Sequence, residues 1–448
     1  MNRRNFLQIA GLTGLSVLGP AGLWSKNVKA EGERYNGPFW VTFHAGGGWD
    51  PTLLCDPKGG AINKTFEPGQ KGKAGTIEYA PTRWTSNRGE EQVEVFSSQR
   101  FFEAHHSRLT VVNGIDTATN NHDTGTRVIW SGSTNDGEPT IAAVAANQGG
   151  GAALPMAFLS SGGYDATGGL VPLTRAGSIS ALKRLAYANR INPDKEEDGL
   201  YFSNDTASRI AQAQSARLEA QRQAAYLPNV RAGATSLATA RQGNAGLVLL
   251  AEQFKTMPEV KLGGKFLEDL EGVGNVNDIE NVCRDIQLAL TAFQAGVAVS
   301  ASLDFGGFDT HGDHDNQHIR QMMKLMRCID FLYKSADALG LSNQLYVVVG
   351  SDFGRTPTYN SDNGKDHWNI TSMLFSGPGI GGNRVVGGTD EGFKPLKVDP
   401  ATLAFSGDGG LRIQPKHIHR ALRRVAKFEG GTGDTQFPIV AEDLPLFG

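Results

Sequence analysis

Six short apolar runs, each closed by a polar or glycine-rich turn, recur along the chain. A continuous apolar run of this length is typical of a strand that is buried on both faces. The first run ends in Gly46, Gly47 and Gly48, which allow a sharp turn of the backbone. The runs that predict strands are residues 38–44, 109–113, 156–159, 297–303, 345–349 and 370–375.

Apolar residues at helical spacing lie between several of these runs. The clearest helix has Asp278 as its predicted N-cap and one apolar face formed by Ile279, Val282, Cys283, Ile286, Leu290 and Phe293. A second predicted helix has one stripe with methionines, which at this spacing indicates core packing. The stripe consists of Ile319, Met322, Met326, Ile329, Tyr333 and Ala336. Further helices are predicted over residues 97–106, 126–131, 139–148 and 416–427.

Strands that alternate with helices predict a mostly parallel sheet packed between helices. Residues 203–296 are rich in Ala, Gln and Arg, which predicts a helical insert or cover. Residues 56–92 have no steady period and are predicted to be a surface excursion, and residues 377–388 a glycine-rich loop. We therefore expect one α/β domain over residues 31–448.

The first 30 residues have the pattern of an export signal. Arg3 and Arg4 precede a modestly apolar stretch and a small-x-small cleavage site at Val28 to Ala30. Paired arginines indicate the twin-arginine route, which carries prefolded proteins. We expect the twin-arginine translocase as a partner during export, and a periplasmic or secreted location.

Composition and charge exclude several classes of protein. The 448 residues are 39% hydrophobic and 20% charged, which is typical of a globular domain. Loss of the leader would remove four basic residues and no acidic one, so the formal net charge of -3 would become -7. An acidic chain with no apolar stretch long enough to cross a bilayer after the leader is not expected to bind nucleic acid or to span a membrane. The three cysteines are expected to be buried free thiols, with a Cys283 to Cys328 pair as the alternative.

Acidic residues and histidines flank four of the predicted strands. Carboxyl ends of parallel strands form the ligand crevice of an open α/β sheet, so these side chains are expected to meet at one edge. Carboxylates mixed with imidazoles suit divalent metals, and two such ions need about six to eight protein ligands. The candidate metal ligands are Asp50, Asp309, His311, His314, Asp352 and His367. The residues do not decide among zinc, manganese, magnesium and calcium.

A further polar loop, residues 120–125, joins the strand at 109–113 to a predicted helix. Backbone N–H groups at such a helix start can hold an anion. His122 is a candidate acid, base or anion donor, and Thr124 is a candidate nucleophile or an ordinary N-cap. Arg355 is a candidate fork for an anionic substrate or one half of a buried ion pair.

Three short motifs around the candidate ligands resemble a known family. They are FDTH at residues 308–311, SDFGRTP at residues 351–357 and GKDHW at residues 364–368. Together they look like domain-of-unknown-function family 1501, a group of exported proteins with a twin-arginine leader. That family is in turn similar to the alkaline phosphatase and sulfatase superfamily. The resemblance implies a large, mostly parallel sheet between helices, with metal ligands on loops at strand ends.

The resemblance also implies roles for single residues around a first metal. Asp50 and Asp352 match the two acidic ligands of the metal that binds the nucleophile, and Thr124 has the position of the nucleophile. The superfamily usually places a histidine after the second acid, whereas this chain has Phe353. One metal would therefore have fewer nitrogen ligands.

A second metal is implied by the same resemblance. Asp309 and His367 match two of its ligands. His311 or His314 would supply the third, and spacing does not choose between them because the usual interval of four residues ends at Asp313.

These patterns lead to two hypotheses about function. The first is an exported hydrolase that uses divalent metal ions to cleave small anionic phosphate or sulfate esters. The second is a non-catalytic binding or assembly protein in the periplasm or at the cell surface, built on the same fold with a degraded site. The oligomeric state is open.

The remaining histidines are predicted to lie away from the chemistry. His44, His105 and His106 are predicted to be structural. His318 is predicted to lie at the surface or behind the metal ligands, and His417 and His419 are predicted to be solvated or to cap a helix.

Overall fold

The computed structural model describes residues 35–448, apart from residues 151–153, 155, 176–178, 243–247, 249, 253–269, 271–272, 274–275 and 408. The predicted leader, residues 1–30, lies outside the described residues. Part of the predicted helical insert does so as well.

Short strands make up the β-structure of the described residues. In chain order they are β1 (Phe39–Ala45), β2 (Gly72–Ala74), β3 (Ile77–Tyr79), β4 (Arg83–Arg88), β5 (Glu91–Ser97), β6 (Thr110–Asp116), β7 (Phe158–Ser160), β8 (Leu173–Arg175), β9 (Arg190–Asn192), β10 (Lys195–Leu200), β11 (Ser300–Phe305), β12 (Leu345–Ser351), β13 (Gly354–Arg355), β14 (His367–Trp368), β15 (Ile370–Ser376) and β16 (Arg384–Gly387).

Helices alternate with many of these strands. In chain order the α-helices of the described residues are α1 (Ser98–His105), α2 (His122–Ser131), α3 (Ile141–Gln148), α4 (Ile179–Ala186), α5 (Asn204–Ala224), α6 (Pro228–Gln242), α7 (Asn277–Ala295), α8 (His314–Leu339), α9 (Pro415–Val425) and α10 (Thr432–Gln436).

Eight strands form one sheet in the order β16, β6, β15, β12, β1, β11, β7, β8. Neighbours are parallel except for β15, which is antiparallel to both β6 and β12. Ala45 pairs with Phe305 on one side and with Ser351 on the other, so β1, β11 and β12 end side by side. β6 ends at the same rim, because it and β12 both run opposite to β15.

Helices cover both faces of the sheet. Val41 and Phe43 of β1 pack into one core cluster with helices α1, α7 and α8. Trp40 on the same strand packs into a second cluster with α2, α3 and α9. Alternate residues of a strand point to opposite faces, so a strand covered on both sides needs apolar residues throughout. The mixed α/β fold with a mostly parallel sheet between helices is therefore as predicted.

The apolar pattern located the main elements. Each of the six predicted strands is present, with its ends within three residues of the prediction. The predicted apolar face of α7 is buried, and the methionine stripe of α8 lies in the core. The three cysteines are buried free thiols, as expected.

Residues 56–92 leave the main sheet, as predicted for an excursion, and contain β2, β3 and β4, which pair in local hairpins. Two local predictions were wrong. Residues 377–388 include β16, which pairs in parallel with β6. Asp278 is not the N-cap of α7, since Val276 occupies that position and Asp278 accepts a hydrogen bond from Lys324.

Within the described residues, every helix is too short or too polar to cross a lipid bilayer.

We predict that Ile329→Ala will lower the free energy of unfolding by about 2–5 kcal/mol, the range for removing a large aliphatic side chain from a core. Ile329 is fully buried in the core cluster that includes residues of α7 and α8. Chemical denaturation of the purified protein measures the loss. Gln317→Ala on the exposed side of α8 is the control and should stay within about 0.5 kcal/mol of the parent. Equal effects of the two substitutions would contradict the assigned core.

Candidate functional site

Side chains from four separate segments meet at the rim where β1, β6, β11 and β12 end. His122 begins α2, which follows β6, and Asp309 follows β11. Asp352 follows β12, and His367 lies in β14 just before β15. The sheet therefore brings together residues that are up to 245 positions apart in the chain.

A glycine turn after β1 makes room for this cluster. Gly47 and Gly48 have φ angles of +118° and +84°, which strongly favour glycine. A Cβ atom on Gly47 would lie 2.5 Å from the backbone nitrogen of Asp309, and one on Gly48 would lie 2.5 Å from the ring of Phe353. The turn thus lets the loops after β11 and β12 approach closely.

Two imidazoles converge on the carboxylate of Asp309. Nε2 of His311 and Nε2 of His367 each lie 3.0 Å from Oδ1 of Asp309, and 3.0 Å from each other. His122 joins from the other side, with its Nε2 3.5 Å from Oδ2 of Asp309. Among the described residues, His122, Asp309 and His367 form the group whose ligand atoms all lie within 4.8 Å of one another.

The opposite nitrogen of each histidine is held by an acceptor. Nδ1 of His367 lies 2.8 Å from the carbonyl oxygen of Asn120, which only accepts hydrogen bonds. Nδ1 of His311 lies 3.0 Å from Asp366, and Nδ1 of His122 lies 2.6 Å from Asp352.

Two of these acceptors, Asp366 and Asp352, are carboxyl groups. The hydrogen bonds that they accept from histidines lower the pKa of each. The bond from His311 lowers the pKa of Asp366. Burial alone would raise the pKa of Asp352, but hydrogen bonds from His122 and His44 hold it well below its ordinary value. Both groups are therefore ionised near neutral pH and accept hydrogen bonds only.

It follows that each neutral histidine carries its proton on Nδ1 and directs an Nε2 lone pair inward. In that form the Nε2 lone pairs of His311 and His367 and the Asp309 carboxylate can serve a bound cation, with His122 facing the same carboxylate. The hydrogen bond to Asp352 raises the pKa of His122, so a proton on its Nε2 can also face Asp309. The 3.0 Å spacings among His311, His367 and Asp309 are short enough for the three atoms to contact one ion, and they equally match hydrogen bonds.

Asp309 is kept ionised by its surroundings. Burial would raise its pKa, but the hydrogen bond from Arg355 and the imidazoles beside it lower it to about 2. Nη2 of Arg355 donates to Oδ1 of Asp309 over 2.6 Å. Asp309 therefore offers a permanent negative charge to a cation at the rim.

Arg355 does not have the exposed position expected of an anion-binding fork. It is fully buried, and it donates to the carbonyl oxygens of Gly47, Gly48 and Lys365 as well as to Asp309. The alternative, a buried ion pair, is the arrangement observed. Arg355 joins the turn after β1 to the loops that carry Asp309 and Lys365.

Phe353, the residue after Asp352, lies beneath the histidines. Its ring is fully buried, with its centroid 4.9 Å from that of His122 and 4.5 Å from that of His367. An apolar ring there packs against both imidazoles and excludes water from below.

Asp50 and His314, two predicted metal ligands, lie in a separate buried network. Oδ2 of Asp50 accepts a hydrogen bond from Nζ of Lys365 over 2.7 Å and lies 3.1 Å from Nε2 of His314. Its Oδ1 accepts from the backbone and hydroxyl of Thr52. A lysine thus occupies the place next to Asp50 that the sequence prediction assigned to a metal.

The protons of this network can be followed from one residue to the next. The backbone N–H of Asp50 donates to Nε2 of His318, so Nδ1 of His318 donates to the hydroxyl of Thr310. That hydroxyl donates to Nδ1 of His314, whose Nε2–H is then directed at Asp50. Burial lowers the pKa of both histidines, which keeps them neutral. Of the two candidates for the third ligand of the second metal, His311 therefore lies at the rim and His314 lies in this buried network.

Thr124 is also placed differently from the prediction. Asn121 is the N-cap of α2, because its side chain accepts from the backbone N–H of Thr124. Residues two apart on a helix point about 200° away from each other. Since α2 directs His122 at Asp352, it directs the Thr124 side chain away from that carboxylate.

Sequence reasoning missed two features of the site. His122 was assigned to acid or base chemistry but stands among the metal candidates. His44 was predicted to be structural, yet its Nε2 lies 3.1 Å from Oδ1 of Asp352. The available signal was its place at the end of the first apolar run, just before the glycines that open the site.

Other histidines have structural contacts. His105 pairs with Asp330 in the core, as a structural role requires. His318 is fully buried, not at the surface. His417 caps the start of α9 by accepting from the backbone of Gln414, and His419 is buried and bonded to the carbonyl of Ile129, so neither is solvated.

Comparison with known proteins gives one family match and several distant structural neighbours. A family model described as "Protein of unknown function (DUF1501)" matches residues 41–402. No significant match occurs among curated proteins.

Two structural neighbours are alkaline phosphatases. The enzyme from the Antarctic bacterium TAB5 has a TM-score of 0.31 and 11% identity, over 78% of this chain and 93% of that one. A variant of the same enzyme with magnesium bound has a TM-score of 0.32 and 12% identity over the same shares. At these scores the likeness carries no inference about function, which has to come from this chain's own residues.

We predict that Lys365→Met will lower the free energy of unfolding by about 3–5 kcal/mol, because it leaves the carboxylate of Asp50 buried without its cation. The double variant Asp50→Asn with Lys365→Met should recover most of this loss. Chemical denaturation gives both values. Lys334→Met, which removes the exposed half of a pair with Asp330, is the control and should cost less than about 1 kcal/mol. A Lys365→Met loss no larger than the control would refute a buried ion pair here.

Proposed function

We propose that this chain, which belongs to the DUF1501 family of proteins of unknown function, is an exported metal-dependent hydrolase of phosphate or sulfate esters. One observation carries the proposal. The Nε2 atoms of His311 and His367 each lie 3.0 Å from Oδ1 of the ionised Asp309, and His122, Asp309 and His367 offer ligand atoms that all lie within 4.8 Å of one another at the rim. Such an arrangement is stable when a cation occupies it.

The residues would hold a divalent ion through three imidazoles and one carboxylate. That donor set suits zinc and manganese better than calcium, which prefers oxygen ligands. When bound, such an ion supplies a Lewis acid for an ester oxygen and positive charge for an anionic substrate.

The protein's own part is to fix the ligands before a substrate arrives. Asn120, Asp366 and Asp352 hold the three imidazoles in one tautomer, and Arg355 holds Asp309. The side chains of His311 and Asp309 are each 47% exposed, so a small ester can reach them from solvent. Arg355 and Lys365 are buried and paired, so the bound cation would be the main attraction for an anionic ester.

Water is the nucleophile that this arrangement favours. Thr124 was the candidate nucleophile, but its position two residues after His122 directs its hydroxyl elsewhere. We therefore expect Thr124→Ala to retain hydrolysis, whereas a Thr124 nucleophile would require its loss.

A second candidate function is a non-catalytic binding or assembly protein on the same fold. Two observations favour it: Arg355 uses its donors within the protein, and Phe353 stands where a nitrogen ligand is usual. In a non-catalytic protein, the cluster of His122, His311, His367 and Asp309 would contribute to folding and not to catalysis.

The direct test measures bound metal and hydrolysis on the same purified protein. Metal analysis should find a divalent ion, and aryl phosphate or aryl sulfate esters should be cleaved, with loss on chelation and recovery on adding the metal back. His367→Ala should lower metal affinity by more than about 100-fold, since residues behind metal ligands already cost about 10–100-fold.

His106→Ala is the matched control for this test. His106 precedes β6 and so lies at the opposite rim of the sheet, where it bonds the carbonyl of Phe102. It should keep both metal and activity. A folded protein without divalent metal that cleaves neither ester would refute the hydrolase, and an Asp309→Asn variant that folds and binds metal but loses activity would exclude the non-catalytic function.

Export is a separate prediction. Replacing Arg3 and Arg4 by lysine should keep the chain in the cytoplasm, because the twin-arginine route depends on that pair. Cell fractionation with detection of the mature chain is the measurement. Replacing Lys26 and Lys29 by arginine preserves charge near the cleavage site and should leave export unchanged. Normal export of the Arg3 and Arg4 variant would contradict this route.

A further inference from the structure

A chain of buried hydrogen bonds lies behind His122. The indole N–H of Trp130 donates to Nδ1 of His44 over 2.9 Å. Nε2 of His44 lies 3.1 Å from Oδ1 of Asp352, and Oδ2 of Asp352 lies 2.6 Å from Nδ1 of His122. Trp130, His44 and Asp352 are at most 7% exposed, so water does not compete for these bonds.

Trp130 decides the tautomer of His44. An indole nitrogen is a donor only, so Nδ1 of His44 must present a lone pair to it. The neutral ring then carries its proton on Nε2, where it is donated to Asp352. His44 could bind a metal through Nε2 only if it lost that proton, or if it broke its hydrogen bond with Trp130 and carried the proton on Nδ1 instead.

Asp352 is committed in the same way. Its carboxylate accepts hydrogen bonds from His44, from His122 and from the backbone N–H of Gly47. These three donors surround a carboxylate that is only 2% exposed. The N–H groups of His44, His122 and Gly47 therefore occupy the Asp352 oxygens that a second metal would need as ligands.

We propose that Trp130, His44 and Asp352 are positioning residues that orient His122, and that the centre consequently holds one metal ion and not two. The inference rests on the proposed metal centre and adds its stoichiometry and its support. A carboxylate that holds the far nitrogen of a metal-binding histidine fixes the ring and raises its basicity.

The helix α2 shows why the support has this form. His122 is its first residue and Trp130 is its ninth, so the two lie about two turns apart on one helix. Bonds from both residues lead to Asp352, directly or through His44. The ends of β1 and β12 thus hold α2 at two points, and His122 cannot rotate without breaking one of them.

The first experiment measures how many metal ions bind. The purified full chain is stripped of metal and titrated with zinc in a calorimeter, and the bound metal is counted after gel filtration. We expect one zinc per chain. Two zinc ions per chain would overturn the inference while leaving a metal-dependent hydrolase intact, and no binding at all would overturn both.

The second experiment removes single hydrogen bonds. Trp130→Phe keeps the ring and deletes the donor to His44, and we expect zinc affinity to fall about 10–100-fold, as for other residues behind metal ligands. Trp49→Phe is the matched control. Trp49 is also fully buried and donates one indole hydrogen bond, to Thr371, outside the chain that supports His122. It should leave zinc affinity unchanged.

A conservative replacement separates positioning from general damage. His44→Gln can still donate an N–H to Asp352, whereas His44→Ala cannot. Zinc affinity should therefore be higher in His44→Gln than in His44→Ala, with circular dichroism confirming that both are folded. Equal affinities of the parent, Trp130→Phe and His44→Ala would overturn the positioning role, and an equal fall in Trp49→Phe would reduce it to a general packing effect.

Discussion

The proton positions of three histidines are the constraint on which the candidate site depends. Asn120, Asp366 and Asp352 each accept from an Nδ1–H, so in the neutral rings Nε2 of His367, His311 and His122 carries the lone pair. These lone pairs lie beside the ionised Asp309, and a cation among them would relieve their repulsion. The geometry of the rim is therefore compatible with the metal site proposed above, whatever reaction follows.

Two buried cations hold the loops that form this rim. Arg355 bridges the turn after β1 and the loop of Asp309, while Lys365 pairs with Asp50 beneath it. Burial of such charges stabilises a protein little on balance, yet loss of one partner is costly. Here the two cations hold the loops in position, because each guanidinium or ammonium donor fixes a backbone or carboxylate oxygen in one place. Because their donors are already used within the protein, neither side chain is available to bind substrate.

The fold and the site carry different information. A mostly parallel sheet with ligands at its strand ends is shared by proteins with many activities, so it cannot name a reaction. The donor set is more specific, since imidazoles and carboxylates are common ligands of divalent metals. At His44, Phe353 and Lys365 the chain places a hydrogen-bond donor, an apolar ring and a cation around the candidate site. These side chains, more than the fold, define what the site can do.

The sequence by itself determined the elements and the edge at which the chemistry lies. Continuous apolar runs mark strands buried on both faces, and polar residues after them must gather at one rim, because parallel strands end together. Only the tertiary structure decided which of those residues meet. Asp50 and Asp309 follow strand ends with equal promise in the sequence, but Lys365 lies beside Asp50 and His367 beside Asp309. The tautomers of His44 and His122 were likewise beyond prediction, since a hydrogen-bond partner such as Trp130 or Asp352 is set by packing in space and not by spacing along the chain.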